Sequence, residues 1–295
     1  MKNRLLLTLL TLILAAAMLT TGCAQAATTA ATTAATTAAA ETTAAPAATT
    51  AAAADQSLQK VLDAKTFVLG FDEAFPPMGY LDANNQHVGF DIDVAKEVIK
   101  RMGVELKLQP IDWSQKENEL NSGNIDCIWN GFSITPERLE ALTFTTPYMK
   151  NRQVVIVLAD SPVKSLADLK GKKLAVQAES SAVEALNKAA DFKASLKEVV
   201  ELKDNVTALM DLKASGTDAL LVDEIVAGYY IAREKKAYRI LDEALAEEEF
   251  GVGFRKADLT LRDEVQKQLE AMAKDGTLAK ISTDWFSKDI TTIGK

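Results

Sequence analysis

The chain has 295 residues, with 41 acidic against 33 basic side chains, a net charge of −8, one histidine and two cysteines. An acidic balance of this kind opposes nucleic acid as a partner, and His87, Cys23 and Cys127 alone give poor support to a zinc centre or a Ser-His-Asp triad. Composition is that of a soluble globular protein, and residues 55–295 suffice for one large domain or two of ordinary size.

Residues 1–22 read as a secretory signal, with Lys2 and Arg4 at its charged start and an apolar run from Leu5 to Leu19 that is short for a membrane span. The segment Leu19-Thr20-Thr21-Gly22-Cys23 resembles a bacterial lipoprotein box, in which Cys23 becomes the lipidated N-terminus; Thr20 stands where leucine is usual. Ordinary cleavage after Ala24-Gln25-Ala26 is the competing reading. Residues 24–54 are almost wholly Ala and Thr, with little to bury, and are expected to be a disordered tether able to span roughly 100 Å at most. A lipidated Cys23 leaves Cys127, a small apolar residue in a strand, without an intrachain disulfide partner.

Thr66 to Phe71 reads as a strand that delivers Asp72 to its carboxyl end, followed by an extended loop through Phe75-Pro76-Pro77. Phe75 is either a core anchor or an exposed ligand-facing aromatic. Tyr80 to Phe90 reads as a hairpin turning at Asp82 to Asn85. Asp91 opens a helix with Ile92, Ala95, Ile99 and Met102 on one face and Gly103 as its stop. Val104 to Pro110 is the next strand, and Trp113 after it either caps the core or stacks on a ligand.

The segment from Asp126 to Arg138 organises the rest. An apolar run ends at Trp129, Asn130-Gly131 breaks it, and Thr135-Pro136 provide the N-cap and first turn of a helix carrying Arg138. A strand end of this type in an open α/β sheet is a ligand-binding position. Arg138 can hold a carboxylate by two parallel bonds, while carbonyls and the Ser133 hydroxyl can accept from an ammonium. The bland alternative is an ordinary strand–loop–helix with a surface arginine.

Further on, extended residues Thr143 to Tyr148 lead to an apolar strand, Val154 to Leu158. A strand at Leu174 to Val176 ends in a loop whose Ser180 and neighbours precede a helix and offer backbone amides to an anion. A strand at Asp218 to Val222 delivers Asp223, by default a helix cap and otherwise a ligand carboxylate. Phe250 to Arg255 is extended, and helices at Leu261 to Ala273 and Leu278 to Phe286 close the chain. Strand and helix alternate on both sides of about residue 150, which predicts an α/β fold, mainly parallel, in two lobes with a cleft between them; no internal repeat is evident.

Taken in order, Gly70-Phe71-Asp72, Phe75-Pro76-Pro77-Met78, Gly89-Phe90-Asp91-Ile92-Asp93, Ser133-Ile134-Thr135-Pro136-Glu137-Arg138, Phe144-Thr145-Thr146-Pro147-Tyr148, Asp168-Leu169-Lys170-Gly171-Lys172 and Gly253-Phe254-Arg255-Lys256 carry a resemblance from Lys65 to Phe286. The chain resembles the bacterial extracellular solute-binding proteins of family 3, which serve ATP-binding-cassette importers of polar amino acids. The resemblance implies a two-lobed periplasmic-binding-protein fold of type II. Its crossing strands match Thr145 to Arg152 and Phe250 to Phe254, lobe one being residues 60–147 plus 253–295 and lobe two 148–252. It implies a cofactor-free monomer outside the cytoplasm that closes on a free amino acid, cationic or polar neutral and including cystine, and passes it to a permease. Arg138, helped by Ser133 and Ser180, matches the holder of the α-carboxylate. Asp223, with the Gly131 carbonyl and Ser133 hydroxyl, matches the holder of the ammonium. Phe75 and Trp113 match the aromatics that sandwich the side chain, and Asp72 the reader of its tip. The chain departs from the family at Ala178-Glu179-Ser180, where Gly-Thr is usual, and at Asn130, where serine is common. The rival readings are a dehydratase-like enzyme on the same fold, a sensory module and a surface adhesin.

Overall fold

The computed structural model describes residues 55–295 apart from Lys236; the leader, Cys23 and the Ala/Thr tract lie outside the described residues. In chain order the elements are α1 (Ser57–Ala64), β1 (Thr66–Phe71), β2 (Ala74–Phe75), β3 (Gly79–Leu81), β4 (His87–Val88), α2 (Phe90–Met102), β5 (Glu105–Pro110), α3 (Lys116–Asn121), β6 (Cys127–Ile128), α4 (Pro136–Ala141), β7 (Leu142–Phe144) and β8 (Met149–Leu158). There follow β9 (Lys173–Gln177), α5 (Ser181–Lys188), α6 (Ala190–Ser195), β10 (Glu198–Leu202), α7 (Asn205–Lys213), β11 (Ala219–Asp223), α8 (Glu224–Arg233), β12 (Tyr238–Phe250), β13 (Gly253–Arg255), α9 (Leu259–Asp275) and α10 (Thr277–Phe286).

Two five-stranded sheets organise the chain, in the orders β5-β1-β6-β13-β7 and β10-β9-β11-β8-β12, with a small β2-β3-β4 sheet beside them. In each large sheet three strands run parallel, β5, β1 and β6 in one and β10, β9 and β11 in the other. The remaining two strands are antiparallel to them or to each other, which makes both sheets mixed. The antiparallel strands are the ones through which the chain crosses: β7 leads to β8, and β12 returns to β13. The crossing segments zip together, with the Tyr148 N–H on the Phe250 carbonyl at 2.9 Å and the Thr145 N–H on the Val252 carbonyl at 3.1 Å. Thus the crossings lie where the resemblance implies them.

Local chemistry explains the elements that flank the site. Helix α2 buries Phe90, Val94, Ala95, Val98 and Ile99, and Gly103 at φ 74° ends it by donating its N–H to the Ile99 and Lys100 carbonyls. Helix α9 buries Leu261, Val265, Leu269 and Met272, a stripe at helical spacing, and stops at Gly276 with φ 83°. Strand β11, central in its sheet, is buried at every residue. One apolar cluster joins Phe67, Leu69 and Phe71 of β1 to Ile156 and Val222 of the other sheet, so the two halves share packing near the crossings. Cys127 is free and buried, and burial pushes its thiol well above its ordinary range. Among the described residues no helix is long and apolar enough to cross a membrane, and no group of three His, Cys, Asp or Glu side chains could hold a metal ion.

Candidate ligand-binding site

Three strand ends meet between the sheets. On the first sheet, β6 runs out at Ile128 and the chain turns at Gly131, φ 54°. A side chain is barred there twice over, by the left-handed backbone and by the Phe75 and Phe250 rings, which a Cβ would approach to 2.8 and 3.2 Å. The Gly131 N–H donates to Asp91 Oδ2 at 2.6 Å, and the same oxygen accepts from the Tyr148 hydroxyl at 2.9 Å. Asp91 is therefore more than a helix opener: it ties the turn to the crossing segment. Full burial raises its carboxyl to about 7.

Thr135 caps α4 by accepting from the Arg138 N–H at 3.3 Å, with Pro136 in the first turn. That cap aims Arg138 inward. It is 5% exposed, so the surface-arginine reading does not hold. Its Nη1 donates to the Ser133 carbonyl at 2.9 Å, its Nε stands 3.4 Å from Glu184 Oε1, and its guanidinium lies 4.5 Å from the Phe132 ring centre. Burial lowers its pKa, opposed first by Glu184.

The second sheet brings Asp223 to the end of β11. It occupies the N-cap position of α8 but makes no side-chain cap bond. Instead Oδ1 accepts from Asn151 Nδ2 at 2.6 Å and Gln153 Nε2 at 2.9 Å, both on β8. Burial, then the nearby Glu248 carboxylate, raises Asp223 far above the ordinary carboxylate range. In the loop after β9, Ser180 Oγ donates to the Gln177 carbonyl at 2.7 Å, and Glu179 holds φ 55°, a left-handed conformation uncommon for a side chain of its size.

Phe75, Trp113, Gly131, Ser133, Arg138, Ser180 and Asp223 line one cavity, joined by Gln177 and Ser181. Its volume is about 10 Å³, room for roughly one water, so anything as large as an amino acid enters only if the walls part. The walls are linked across the gap: Gln177 Nε2 donates to Asp72 Oδ2 at 2.7 Å, Lys116 Nζ to the Glu179 carbonyl at 2.9 Å, and the Ser133 and Ser181 hydroxyls lie 3.1 Å apart.

Trp113 joins the two readings the sequence leaves open, since it packs edge-on against Phe132 at 5.6 Å in the core and also lines the cavity. Phe75, 6% exposed, does the same. Two residues singled out in the sequence stand elsewhere. Asn130 turns back into the first sheet, where its Oδ1 accepts the Asp72 N–H at 3.2 Å. Asp72 lines a separate outer cavity of about 590 Å³ with Glu73, Asp112, Asp204 and Lys203, and burial raises its carboxyl to about 6. Sequence reasoning did not single out Gln177, Ser181, Lys116, Asn151, Gln153 or Glu248. None carried a local signal: Asn151 and Gln153 sit in the unbroken polar run Lys150-Asn151-Arg152-Gln153.

The chain has relatives among known proteins. The chain is 30% identical over 241 residues to the L-cystine-binding protein TcyJ of Escherichia coli strain K12, covering 81% of this chain and 89% of that one. It is 30% identical over 226 residues to the arginine-binding extracellular protein ArtP of Bacillus subtilis, covering 76% and 87%. An ABC uptake transporter substrate-binding protein from Streptococcus pneumoniae, solved with bound histidine, superposes with a TM-score of 0.79 at 37% identity, covering 82% of this chain and all of that one. Each of these relatives is named as a binding protein. The model of the bacterial extracellular solute-binding proteins, family 3, matches residues 67–288, and the chain belongs to that family.

Proposed function

We propose that this chain is the extracytoplasmic substrate-binding component of an ABC importer and that its cargo is a free polar amino acid. One observation carries the reading: Arg138 from the first sheet and Asp223 from the second, opposite charges, line the same buried cavity. Arg138 takes the α-carboxylate and Asp223 the ammonium, with Gly131 and Ser133 between them and Ser180 beside the carboxylate. A zwitterion so held replaces its lost hydration by fixed partners. Because its two ends are gripped by different sheets, it binds the closed arrangement better than the open one, and that difference drives closure. Phe75 and Trp113 flank the side chain. Beyond them the outer cavity presents four carboxylates, Asp72, Glu73, Asp112 and Asp204, against Lys203. That surplus favours a cationic or polar neutral tip over an acidic one.

We read the protein as a binder and not an enzyme, since the roles assigned to these residues require no bond of the cargo to break. We further propose that it acts as a monomer, anchored at the outer face of the membrane through acylated Cys23, with residues 24–54 as its tether. The mass of the mature N-terminal peptide separates acylation at Cys23 from cleavage after Ala26. The cargo assignment is tested by a thermal-shift screen of the twenty amino acids, cystine and polyamines. A cargo that binds the native state raises its melting temperature. The expected result is a rise with one group of polar amino acids; a rise with polyamines alone, or with nothing, overturns the assignment.

A further inference from the structure

Strand β12 places Glu248 opposite Asn151 in the ladder with β8, and Gln153 stands opposite Asp223 in the ladder with β11. The consequence is a polar patch packed behind Ser133, Ser181 and Asp223, which line the cavity. Glu248 Oε2 accepts from Ser133 Oγ at 2.7 Å, Gln153 Nε2 at 3.0 Å, Ser181 Oγ at 3.2 Å and Asn151 Nδ2 at 3.3 Å. Asn151 and Gln153 divide their N–H groups between Glu248 and Asp223. Two carboxylates thus share two amides, and neither has a cation within 4.0 Å among the described residues. Arg138 does not serve, because its ion pair is with Glu184. A second observation points the same way. Asn151 and Gln153, 4% and 0% exposed, each leave the amide oxygen without a hydrogen-bond partner. Unmet acceptors beside two unpaired carboxylates call for a compact donor carrying positive charge.

Resting on the amino-acid reading above, we propose that Glu248 is a second acidic partner of the cargo's α-ammonium, acting with Asp223 from the strand that crosses between the sheets. An ammonium has three N–H bonds to give. Asp223 takes one, Glu248 a second, and an amide or backbone oxygen beside them the third. Glu248 is then a specificity determinant for an unsubstituted α-amino group. Because it also accepts from Ser133 and Ser181, its charge is placed from both sides of the cleft.

The test pairs each of L-arginine, L-histidine, L-glutamine and L-cystine with the acid lacking its α-amino groups, and measures affinities calorimetrically for the wild type and Glu248→Gln. The expected result is a loss of about tenfold or more for the amino acid that the wild type binds, with its deaminated partner changed less than twofold. Glu248→Asp, which keeps the charge but withdraws it, should lose less, again only for the amino acid; it serves alone if Glu248→Gln does not fold. Equal losses for both members of a pair make Glu248 a structural tie and overturn the proposal, as does no loss at all. If the wild type binds none of the four, the pair is built on the amino acid that raises the melting temperature in the thermal-shift screen; if none does, the amino-acid reading falls first and takes this one with it.

Discussion

The two sheets repeat one strand order, yet the charged group each delivers is treated in opposite ways. Arg138, on the first sheet's side, is already compensated within the protein by Glu184, a carbonyl and an aromatic face. Asp223, on the second, has amide donors only, and a second carboxylate close enough to oppose its ionisation. The contrast teaches which end of a zwitterion does more electrostatic work. A carboxylate arriving at Arg138 competes with an acid already there. An ammonium arriving at Asp223 and Glu248 meets two acids with no cation within 4.0 Å among the described residues, and it can draw Asp223 into its ionised form.

The largest expected effects should separate the two sides by sign. Arg138→Ala should weaken amino-acid binding about a hundredfold or more, roughly 2.7 kcal/mol, and also lower the melting temperature of the unliganded protein, since Glu184 loses its partner. Asp223→Asn should weaken binding by about the same factor but raise that melting temperature at neutral pH, because the stability that Asp223 forfeits as pH climbs towards its raised folded-state value is no longer lost. Calorimetry with thermal scans of both variants checks this, and melting shifts of the same sign would break the contrast.

Next in size comes pH. Asp223, Asp91 at about 7 and Asp72 at about 6 all have folded-state values above the ordinary carboxylate range. Their contribution to stability is full below about pH 4 and is lost as pH rises through those values. The unliganded melting temperature should therefore fall between about pH 4 and neutrality, and Asp223→Asn should flatten the upper part of the fall. An incoming ammonium favours the ionised acid, so binding near neutrality should release protons, read as a dependence of the calorimetric heat on buffer ionisation enthalpy. Smaller again, Glu184→Gln should tighten binding a few-fold by ending the competition at Arg138. The smallest effect belongs to His87→Ala, whose imidazole bonds to the exposed Glu73 and packs edge-on against Phe71, and no change in affinity is expected.

Much of the frame was legible because local rules set it. Gly103 and Gly276 end helices where their φ values require glycine, and Thr135-Pro136 start one. Strand β12 was read only at its last residue, for two physical reasons. Register shifts between Ile240, Ala244 and Ala246 break its alternation, and Ala246-Glu247-Glu248-Glu249 has the composition of a solvated surface. The site divides along the same line. Arg138 and Asp223 stand at strand and helix ends that a linear pattern reveals. Glu184, Gln153 and Glu248 enter through pairings across 46, 70 and 95 residues, with Arg138, Asp223 and Gln153 respectively, which no local period encodes. Asn130 shows the converse: its position beside the turn was plain, but the side-chain direction that carries it away from the cavity depends on packing against Gly79.

The hook made by Asp91 has a mechanical consequence. One carboxylate oxygen fastens the rim of the pocket, at Gly131, to the pivot, at Tyr148. A guest tugging on the rim therefore loads the pivot through a single rigid strut. Asp72, proposed to read a guest's far end, stands outside that strut in the outer cavity, so a change there leaves the link from Gly131 through Asp91 to Tyr148 intact.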